Sequence, residues 1–141
     1  MVAMSGGVDS SVAAALLVQA GYEVIGVTMR LSEDVRGGDR TAEDARRVAD
    51  ILRIPHHVVD FRALFRRRVI DDFIASYAAG KTPNPCVSCN RYLKFSAMWE
   101  KARELDSDFL ATGHYARVLW HSELGRYQLL KGRDERKDQS Y

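Results

Sequence analysis

The sequence predicts a doubly wound α/β domain with a mostly parallel sheet. Apolar runs rich in β-branched residues alternate with stretches of helical periodicity, and the loops between them contain glycine, proline or asparagine. Strands that alternate with helices pack as a parallel sheet, since each crossover helix returns the chain to start the next strand in the same direction. Ligands of such sheets bind beyond the carboxyl ends of the strands. The residues that follow each strand are therefore the first candidates for a functional site.

Length and composition indicate one ordinary globular domain. The 141 residues are 46% hydrophobic and 28% charged, and the net charge of +2 is too small to imply nucleic-acid binding by overall charge. No apolar run approaches the roughly 20 residues that cross a bilayer, and the N-terminus lacks a signal-peptide pattern. We therefore expect a cytoplasmic protein with no membrane partner. In that compartment Cys86 and Cys89 favour reactive or metal-binding chemistry over a structural disulfide framework.

The first elements follow from local patterns. Residues 2–4 are expected to form a short strand, and residues 8–20 a helix that ends at Gly21, which tolerates the left-handed conformation. The stripe that indicates this helix contains Val8, Val12, Ala15, Leu16 and Gln19. Residues 23–29 form an apolar, β-rich run typical of a buried parallel strand.

The later elements continue the alternation of strand and helix. Residues 31–40 form a polar loop with Gly37 and Gly38, and Thr41 with Asp44 resembles a capping arrangement that opens a helix. The elements that follow are a helix to residue 52, a strand at 56–60, a helix at 61–79, a proline-bearing loop at 82–90, a helix to about residue 105, a strand at 109–112, a hairpin of 116–120 with 127–130, and a charged tail at 131–141.

The string Ser-Gly-Gly-Val-Asp-Ser-Ser at residues 5–11 follows the first strand and opens the first helix. Paired glycines allow a sharp turn and a close approach to an anion. Helix amides, the helix dipole and three serine hydroxyls favour negative charge there. The string is neither the Walker pattern nor the dinucleotide pattern GxGxxG. A Gly-Gly pair alone is more often a simple turn, but the whole string at a strand-to-helix junction predicts phosphate binding.

This string resembles the signature of the PP-loop ATP pyrophosphatases, whose domain is of the adenine nucleotide alpha hydrolase-like, Rossmann-like type. The resemblance implies that ATP is bound and that pyrophosphate leaves while AMP is transferred to a substrate oxygen. It also implies that the β- and γ-phosphates are held by Ser5, Gly6, Gly7, Asp9, Ser10 and Ser11. Asp9 would help to place a Mg²⁺ ion. Preorganised donors suit the growing charge of a pyrophosphate leaving group.

A second unusual segment, Thr-Pro-Asn-Pro-Cys-Val-Ser-Cys-Asn, occupies residues 82–90. Its prolines restrict the backbone and bias the preceding residues to extended geometry. The segment is expected to present a thiol at the start of a helix, where the dipole lowers the thiol pKa. Cys86 and Cys89 could instead form a plain reducible disulfide or remain surface thiols.

Together with Ala-Thr-Gly-His-Tyr at 111–115, Lys-Asp-Gln-Ser-Tyr at 137–141 and Met29, these segments resemble the tRNA-specific 2-thiouridylases of the MnmA/TrmU family. The resemblance implies an ATP-dependent tRNA uridine 2-sulfurtransferase, with tRNA and a persulfide sulfur-donor protein as partners. The implied ATP-binding residues are Ala3, Met4, Ser5, Gly6, Gly7, Val8, Asp9, Ser10, Ser11, Met29 and Gly113. The implied tRNA contacts are Asn84, Pro85, Cys86, His114, Lys137, Asp138 and Gln139. Cys89 corresponds to the family's nucleophilic cysteine.

The sequence departs from the family pattern at Cys86, where many members carry aspartate. Cys86 and Cys89 could therefore both be catalytic, or they could be two ligands of a 4Fe-4S cluster that needs further ligands. We expect the disulfide route, with a second catalytic cysteine beyond Tyr141. The resemblance further implies that residues 1–141 form the ATP-binding catalytic domain and that residues 116–141 begin the linker to a β-rich domain.

Two alternative functions remain open at this point. Another PP-loop pyrophosphatase, above all an iron–sulfur-dependent thiolase, would use the same phosphate loop, whereas the amide-forming members need no thiol. A non-catalytic adenine-nucleotide-binding module would need neither cysteine. The paired His56 and His57 begin a strand and are interpreted as structural.

Overall fold

The computed structural model describes residues 1–32 and 40–141. Its centre is a parallel sheet whose strands are β1 Val2–Ala3, β2 Gly26–Arg30 and β3 His56–Asp60. The strand order is β1-β2-β3, and Gly26 in the middle strand pairs with Val2 on one side and His56 on the other. The predicted alternation of strands and helices is confirmed for this part of the chain.

The strand predicted at residues 109–112 is reduced to a single parallel bridge between Ala111 and Val2. The Ala3 N–H donates to the Ala111 carbonyl at 2.9 Å, and the Ala111 N–H donates to the Met1 carbonyl at 2.9 Å. The bridge does not extend into a ladder because β1 is only two residues long. β1 nevertheless lies between β2 and the segment around Ala111, so the chain order reverses at β1. Such a switch point is where doubly wound sheets bind ligands.

The α-helices are α1 Val8–Gln19, α2 Arg40–Leu52, α3 Arg62–Phe65, α4 Asp71–Ala78, α5 Pro85–Cys89 and α6 Met98–Glu104. Two π-helical segments, π1 Arg66–Ile70 and π2 Asn90–Ala97, join α3 to α4 and α5 to α6. The helices predicted at 61–79 and up to residue 105 are thus present, and each contains wide turns in its middle.

Two predicted helix starts differ from the structure. The helix predicted after the proline-bearing loop begins at Pro85, so the predicted loop at 82–90 is shorter than expected and both cysteines are helical. This early start is physically reasonable because proline is well tolerated in the first helical turn. Thr41 lies inside α2 and does not precede it. The polar loop predicted at 31–40, with Gly37 and Gly38, falls mostly outside the described residues.

Hydrophobic clusters cover both faces of the sheet. On one face Val2 packs with Ala14 of α1 and Ala45 of α2, and on the other Val27 packs with Met98 and Ala102 of α6. Helices on both faces confirm the doubly wound architecture. The stripe that indicated α1 points outward, since Val8, Val12 and Leu16 are all exposed while Ser10 and Ala14 are buried. Small residues face the sheet because α1 lies close against β1.

The hairpin is confirmed, with β4 Ala116–His121 antiparallel to β5 Arg126–Lys131. A 3₁₀ turn, Glu135–Lys137, follows and leads the chain back towards the sheet. Within the ranges given above, no helix has both the length and the apolar character that crossing a membrane requires.

Candidate functional site

A cavity of about 210 Å³ opens at the switch point beside β1. Its lining residues come from the ends of β1 and β2, the phosphate loop, π2, the segment after Ala111 and the tail. They are Ala3, Met4, Ser5, Asp9, Ser10, Val27, Met29, Lys94, Thr112, Gly113, His114 and Gln139. A larger hollow of about 700 Å³ lies elsewhere, and one of about 780 Å³ adjoins this cavity and shares Asp9, Thr112, Gly113 and His114 with it. We assign function to the smaller cavity because it combines apolar walls with converging polar groups.

The two glycines of the phosphate loop, residues 5–11, have different structural roles. Gly6 has φ +70°, and a Cβ there would lie 2.6 Å from the Asp44 Cβ and 2.9 Å from the Ala45 backbone nitrogen. Gly7 has ordinary extended geometry, and an added Cβ would meet only the Ser5 Oγ at 3.4 Å. Backbone freedom is therefore required at Gly6 and not at Gly7.

The serine hydroxyls of the phosphate loop bond within the loop itself. The Ser10 Oγ donates to the Gly7 carbonyl at 3.1 Å, and the Ser11 Oγ donates to the same carbonyl at 2.8 Å. The Ser10 Oγ also accepts from the Ser5 N–H at 3.2 Å. These bonds shape the loop, so the free donors for an anion are chiefly the backbone amides of the first turn of α1. This helix start has no side-chain cap.

Gly113 brings the end of the Ala111 segment against α1. A Cβ at Gly113 would lie 2.7 Å from the Ser10 backbone nitrogen and 2.9 Å from its Cα. The residue therefore permits a close backbone approach that any side chain would prevent. Its predicted place at the nucleotide site is consistent with this position in the cavity wall.

Asp9 bonds to a residue that the sequence analysis had not singled out. The Tyr115 hydroxyl donates to the Asp9 Oδ1 at 2.8 Å, and the Lys137 Nζ lies 3.9 Å from the same oxygen. The Lys137 Nζ also lies 4.7 Å from the centre of the Tyr115 ring. The hydrogen bond with Tyr115, and then the nearby Asp9 carboxylate, raise the pKa of Lys137. The predicted tRNA contact Lys137 therefore sits beside the phosphate loop.

The tail after β5 is ordered by two residues that were predicted to contact tRNA. Asp138 accepts from the Gly132 N–H at 2.8 Å and from the Ser140 Oγ at 3.0 Å, and the Gly132 bond is the main cause of its lowered pKa. Gln139 exchanges two hydrogen bonds with the Tyr115 backbone, at 2.9 and 3.1 Å. The Asp138 carboxylate is thus used within the tail, while Gln139 reaches the cavity wall.

The thiol helix, residues 85–97, starts with a side-chain cap. The Asn84 Oδ1 accepts from the Cys86 N–H at 3.1 Å and from the Val87 N–H at 3.3 Å, and Pro85 occupies the first helical turn. Asn84 and Cys86 are exposed, and neither lines the cavity. Only the amide nitrogen of Asn84 is left for the predicted contact with a target base.

Cys86 and Cys89 are both free thiols, exposed and half-buried respectively. Burial raises the pKa of Cys89, and the positive charge of Lys94 opposes that rise. The expectation of a lowered thiol pKa is therefore wrong for Cys89, because it lies one turn inside the helix where desolvation outweighs nearby positive charge.

His114 is held in one orientation by two polar neighbours. The Lys94 Nζ lies 3.4 Å from its Nε2, and its Nδ1 lies 2.7 Å from the Thr112 Oγ1. Burial and the Lys94 charge lower the pKa of His114, so the ring is neutral near pH 7. A lysine ammonium has no acceptor, so Nε2 accepts from Lys94 and the ring proton is on Nδ1.

The residues fit a nucleotide-bound Mg²⁺ better than an iron–sulfur cluster. Mg²⁺ usually takes one or two carboxylates together with phosphate oxygens, and Asp9 supplies one carboxylate at the loop. Among residues 1–32 and 40–141, no three His, Cys, Asp or Glu side chains come close enough together to hold a metal. Cys86 and Cys89 alone cannot complete a cluster.

Most of the residues that were predicted to bind the nucleotide lie in the cavity wall, whereas the two thiols lie outside it. The predicted residues in the cavity wall are Ala3, Met4, Ser5, Asp9, Ser10, Met29, Gly113, His114 and Gln139. Those outside it are Gly6, Gly7, Val8, Ser11, Asn84, Pro85, Cys86, Cys89, Lys137 and Asp138. Sequence reasoning missed Lys94, Thr112 and Tyr115. Thr112 and Tyr115 adjoin the predicted Gly113 and His114, whereas no sequence signal marked Lys94.

His56 is structural, as the sequence analysis proposed. Its Nε2 bonds to the Thr28 Oγ1 at 2.9 Å, and Thr28 in turn donates to the Met4 carbonyl. Burial is the largest cause of its lowered pKa. These contacts join β3 to β2 and to the Met4 carbonyl, and His56 itself does not line the cavity.

Comparison with protein families gives one match over the whole chain. The family model described as "tRNA methyl transferase HUP domain" matches residues 1–141. Among the relatives that carry the name "tRNA-specific 2-thiouridylase MnmA", one from Moorella thermoacetica is 60% identical and one from Carboxydothermus hydrogenoformans is 53% identical. Each alignment covers 100% of this chain but only 42% and 41% of the relative, so the chain spans about two fifths of their length.

Two solved structures share the fold. A predicted subunit of tRNA methyltransferase from Methanocaldococcus jannaschii matches with a TM-score of 0.52 and 22% identity, covering 79% of this chain and 50% of that one. An NH3-dependent NAD synthetase from Campylobacter jejuni matches with a TM-score of 0.51 and 20% identity, covering 75% and 43%. At these identities the likeness shows the α/β fold alone.

Proposed function

Since the chain belongs to the tRNA methyl transferase HUP domain family, we propose that it is the ATP-binding catalytic domain of a tRNA uridine 2-sulfurtransferase. The observation that carries the proposal is that the two thiols and one residue of the cavity wall lie on one continuous helix. The helix that begins at Pro85 and carries Cys86 and Cys89 runs through π2 to Lys94, which lines the same cavity as Ser5, Asp9 and Ser10 of the phosphate loop. A nucleotide site and a thiol site thus share one helix. The names of the 60% and 53% identical relatives support the same activity.

In the first proposed step, the O2 atom of a tRNA uridine attacks the α-phosphorus of ATP. The bond to the β-phosphate oxygen breaks, and pyrophosphate leaves an adenylated base. The backbone amides at the start of α1 would hold the leaving pyrophosphate, because this uncapped helix end keeps its donors open. Met29 and the apolar ends of β1 and β2 would contact the adenine.

In the second step, the terminal sulfur of a cysteine persulfide attacks C2 of the adenylated uridine, and AMP leaves. The uridine C2 is then linked through its new sulfur to the Sγ of the persulfide-bearing cysteine. The Cys89 thiolate attacks that Sγ and the S–S bond to the uridine sulfur breaks, so that 2-thiouridine leaves and the two cysteines form a disulfide. An external thiol reductant restores both cysteines. We propose that the persulfide-bearing cysteine lies in the part of the relatives' length that this chain does not span, and that a sulfur-donor protein loads it.

The metal ion that we propose is Mg²⁺, because it fits the residues of the cavity wall better than an iron–sulfur cluster does. Mg²⁺, when bound, would neutralise phosphate charge, and we propose that Asp9, whose Oδ1 accepts a hydrogen bond from Tyr115, would hold it. Asn84, Pro85 and Cys86 would approach the target base, and His114, Lys137, Asp138 and Gln139 are proposed to lie along the tRNA path. A tRNA substrate would place the protein in the cytoplasm.

The proposal is tested with the complete gene product, ATP and tRNA. We expect pyrophosphate release that depends on tRNA, together with a mass gain in the tRNA equal to replacement of one oxygen by sulfur. A gain of one methyl group instead would favour the methyl transfer named in the family description. Nucleotide binding without tRNA-dependent pyrophosphate release would favour the non-catalytic module.

A further inference from the structure

The cavity at the switch point has an unusual charge balance. Bound ATP carries several negative charges, and the lining already includes the Asp9 carboxylate. Among the described residues that line the cavity, Lys94 is the only one with a cationic side chain. Neither the phosphate-loop pattern nor the relatives' names point to this residue. An anion in this cavity therefore meets one cationic side chain in the wall itself, and Lys137 lies outside the wall beside Asp9.

The π-helix explains how Lys94 reaches the cavity. π2 begins directly after Cys89, and Lys94 follows Cys89 by five positions. Residues five apart point in different directions in an α-helix, but the i→i+5 bonding of a π-helix stacks them on one face. Leu93, one position earlier, is completely buried in the core, while Lys94 is half-buried in the cavity wall. The wide turns thus allow Lys94 to face the nucleotide side and the Cys89 side together.

The contacts of Lys94 hold its ammonium group without neutralising it. The only bond that the structure shows for the Nζ is to the neutral His114 ring at 3.4 Å, and no carboxylate is paired with it among the contacts of the described residues. The His114 ring is itself fixed by Thr112 and packs against Phe95, with ring centres 5.4 Å apart. A cation held by a neutral partner keeps its full charge available for an anionic ligand.

We propose that Lys94 is the cation that binds the phosphate chain of the nucleotide and that the π2 turn exists to place it there. The inference rests on the proposed function for the identity of the ligand. The proposed role of Lys94 also concerns Cys89. Burial raises the Cys89 pKa, and the Lys94 ammonium opposes that rise. One residue would thereby serve the adenylation site and the thiol site.

The test compares ligands that differ only in phosphate charge. Lys94→Met in the complete gene product is expected to weaken ATP binding at least tenfold in calorimetry without tRNA, while adenosine binding stays at the wild-type level. Lys94→Arg keeps the charge and is expected to recover most of the ATP affinity. Lys81→Met, at an exposed lysine outside the cavity, is the matched control and should change neither affinity.

Each other result has a defined meaning. Unchanged ATP affinity in Lys94→Met would overturn the role of Lys94 while leaving the proposed function intact. An equal loss of ATP and adenosine binding would show that Lys94 is structural, which also overturns the inference. If the wild-type protein binds no ATP, the proposed function fails, and the role of Lys94 fails with it.

A second readout addresses the thiol. In a Cys86→Ser background, the pH midpoint for alkylation of Cys89 should move upward when Lys94 is replaced by methionine, because a stabilising positive charge is lost. Lys94→Arg should leave the midpoint near that of the parent. An unchanged midpoint in Lys94→Met would contradict the link between the two sites.

Discussion

The two helix starts that flank the site are built in opposite ways. α1 starts after Gly7, which provides no side-chain cap, so the amides of its first turn stay open. α5 starts after Asn84, whose side chain already accepts from the amides of Cys86 and Val87. An uncapped helix start leaves its amides open to an anion, whereas a capped start already uses some of them. The start of α1 is therefore the anion site that we propose, and the start of α5 presents the thiols.

The surroundings of these helix starts differ as well. The phosphate loop is enclosed by other elements, with Gly6 against α2 and Ser10 against Gly113. The cap at the start of α5 is formed within the same short segment of the chain, and Cys86 there is exposed. Substitutions in the loop should therefore affect binding and folding together, whereas substitutions near Cys86 should act on chemistry or on local stability.

The largest expected effect is at Cys89. Cys89→Ser in the complete gene product should abolish formation of 2-thiouridine while ATP affinity stays near the wild-type value, because the thiol is outside the cavity wall. Mass spectrometry of tRNA and calorimetry with ATP measure the two quantities. Ser88→Ala, one position earlier, is the control and should retain thiolation. Normal thiolation in Cys89→Ser would show that Cys89 is not the nucleophile.

The second effect separates the two glycines of the phosphate loop. Gly6→Ala should lower ATP affinity at least tenfold, about 1.4 kcal/mol, and should lower the thermal midpoint, since the new Cβ would overlap Asp44 and Ala45. Gly7→Ala is the matched control, because its Cβ has room, and its thermal midpoint should stay close to wild type. Equal losses in both variants would contradict the geometry described for Gly6.

A smaller effect is expected for the cap at Asn84. Asn84→Ala should cost about 1 kcal/mol of unfolding free energy, a typical value for loss of a helix cap, with ATP affinity unchanged. Asn84→Asp keeps an accepting oxygen and should retain the stability. Denaturant titration gives the free energies. If Asn84→Ala matched the wild type, the bonds to the Cys86 and Val87 amides would contribute nothing to stability.

The smallest effect is expected at Cys86, and it distinguishes the two sulfur routes. In the disulfide route Cys86 replaces the carboxylate that many family members carry, so Cys86→Asp should keep thiolation activity. The measurement is thiolation together with iron and acid-labile sulfide analysis after anaerobic purification. Stoichiometric iron that is lost in Cys86→Asp would instead identify both cysteines as cluster ligands.

Local sequence patterns predicted most of the fold. The strand-to-helix junction at residues 5–11, the alternation that produces a parallel sheet and the turn at Gly125 all depend on residues close together in the chain. The fourth strand was overestimated because its extent depends on the length of its partner, β1. The tail could not be predicted from its charged composition, since its order comes from Asp138 and from contacts with Tyr115.

The sequence by itself determined the glycine turn that opens α1 and the helix start that carries the thiols, because glycine, proline and a capping asparagine act within a few residues. Only the tertiary structure decided which side chains meet at the cavity. The bond from Tyr115 to Asp9 joins residues 106 positions apart, and Lys94 reaches His114 only through the wide turns of π2. Such contacts depend on how the helices pack and on their local pitch, and no short segment of the chain determines either of these.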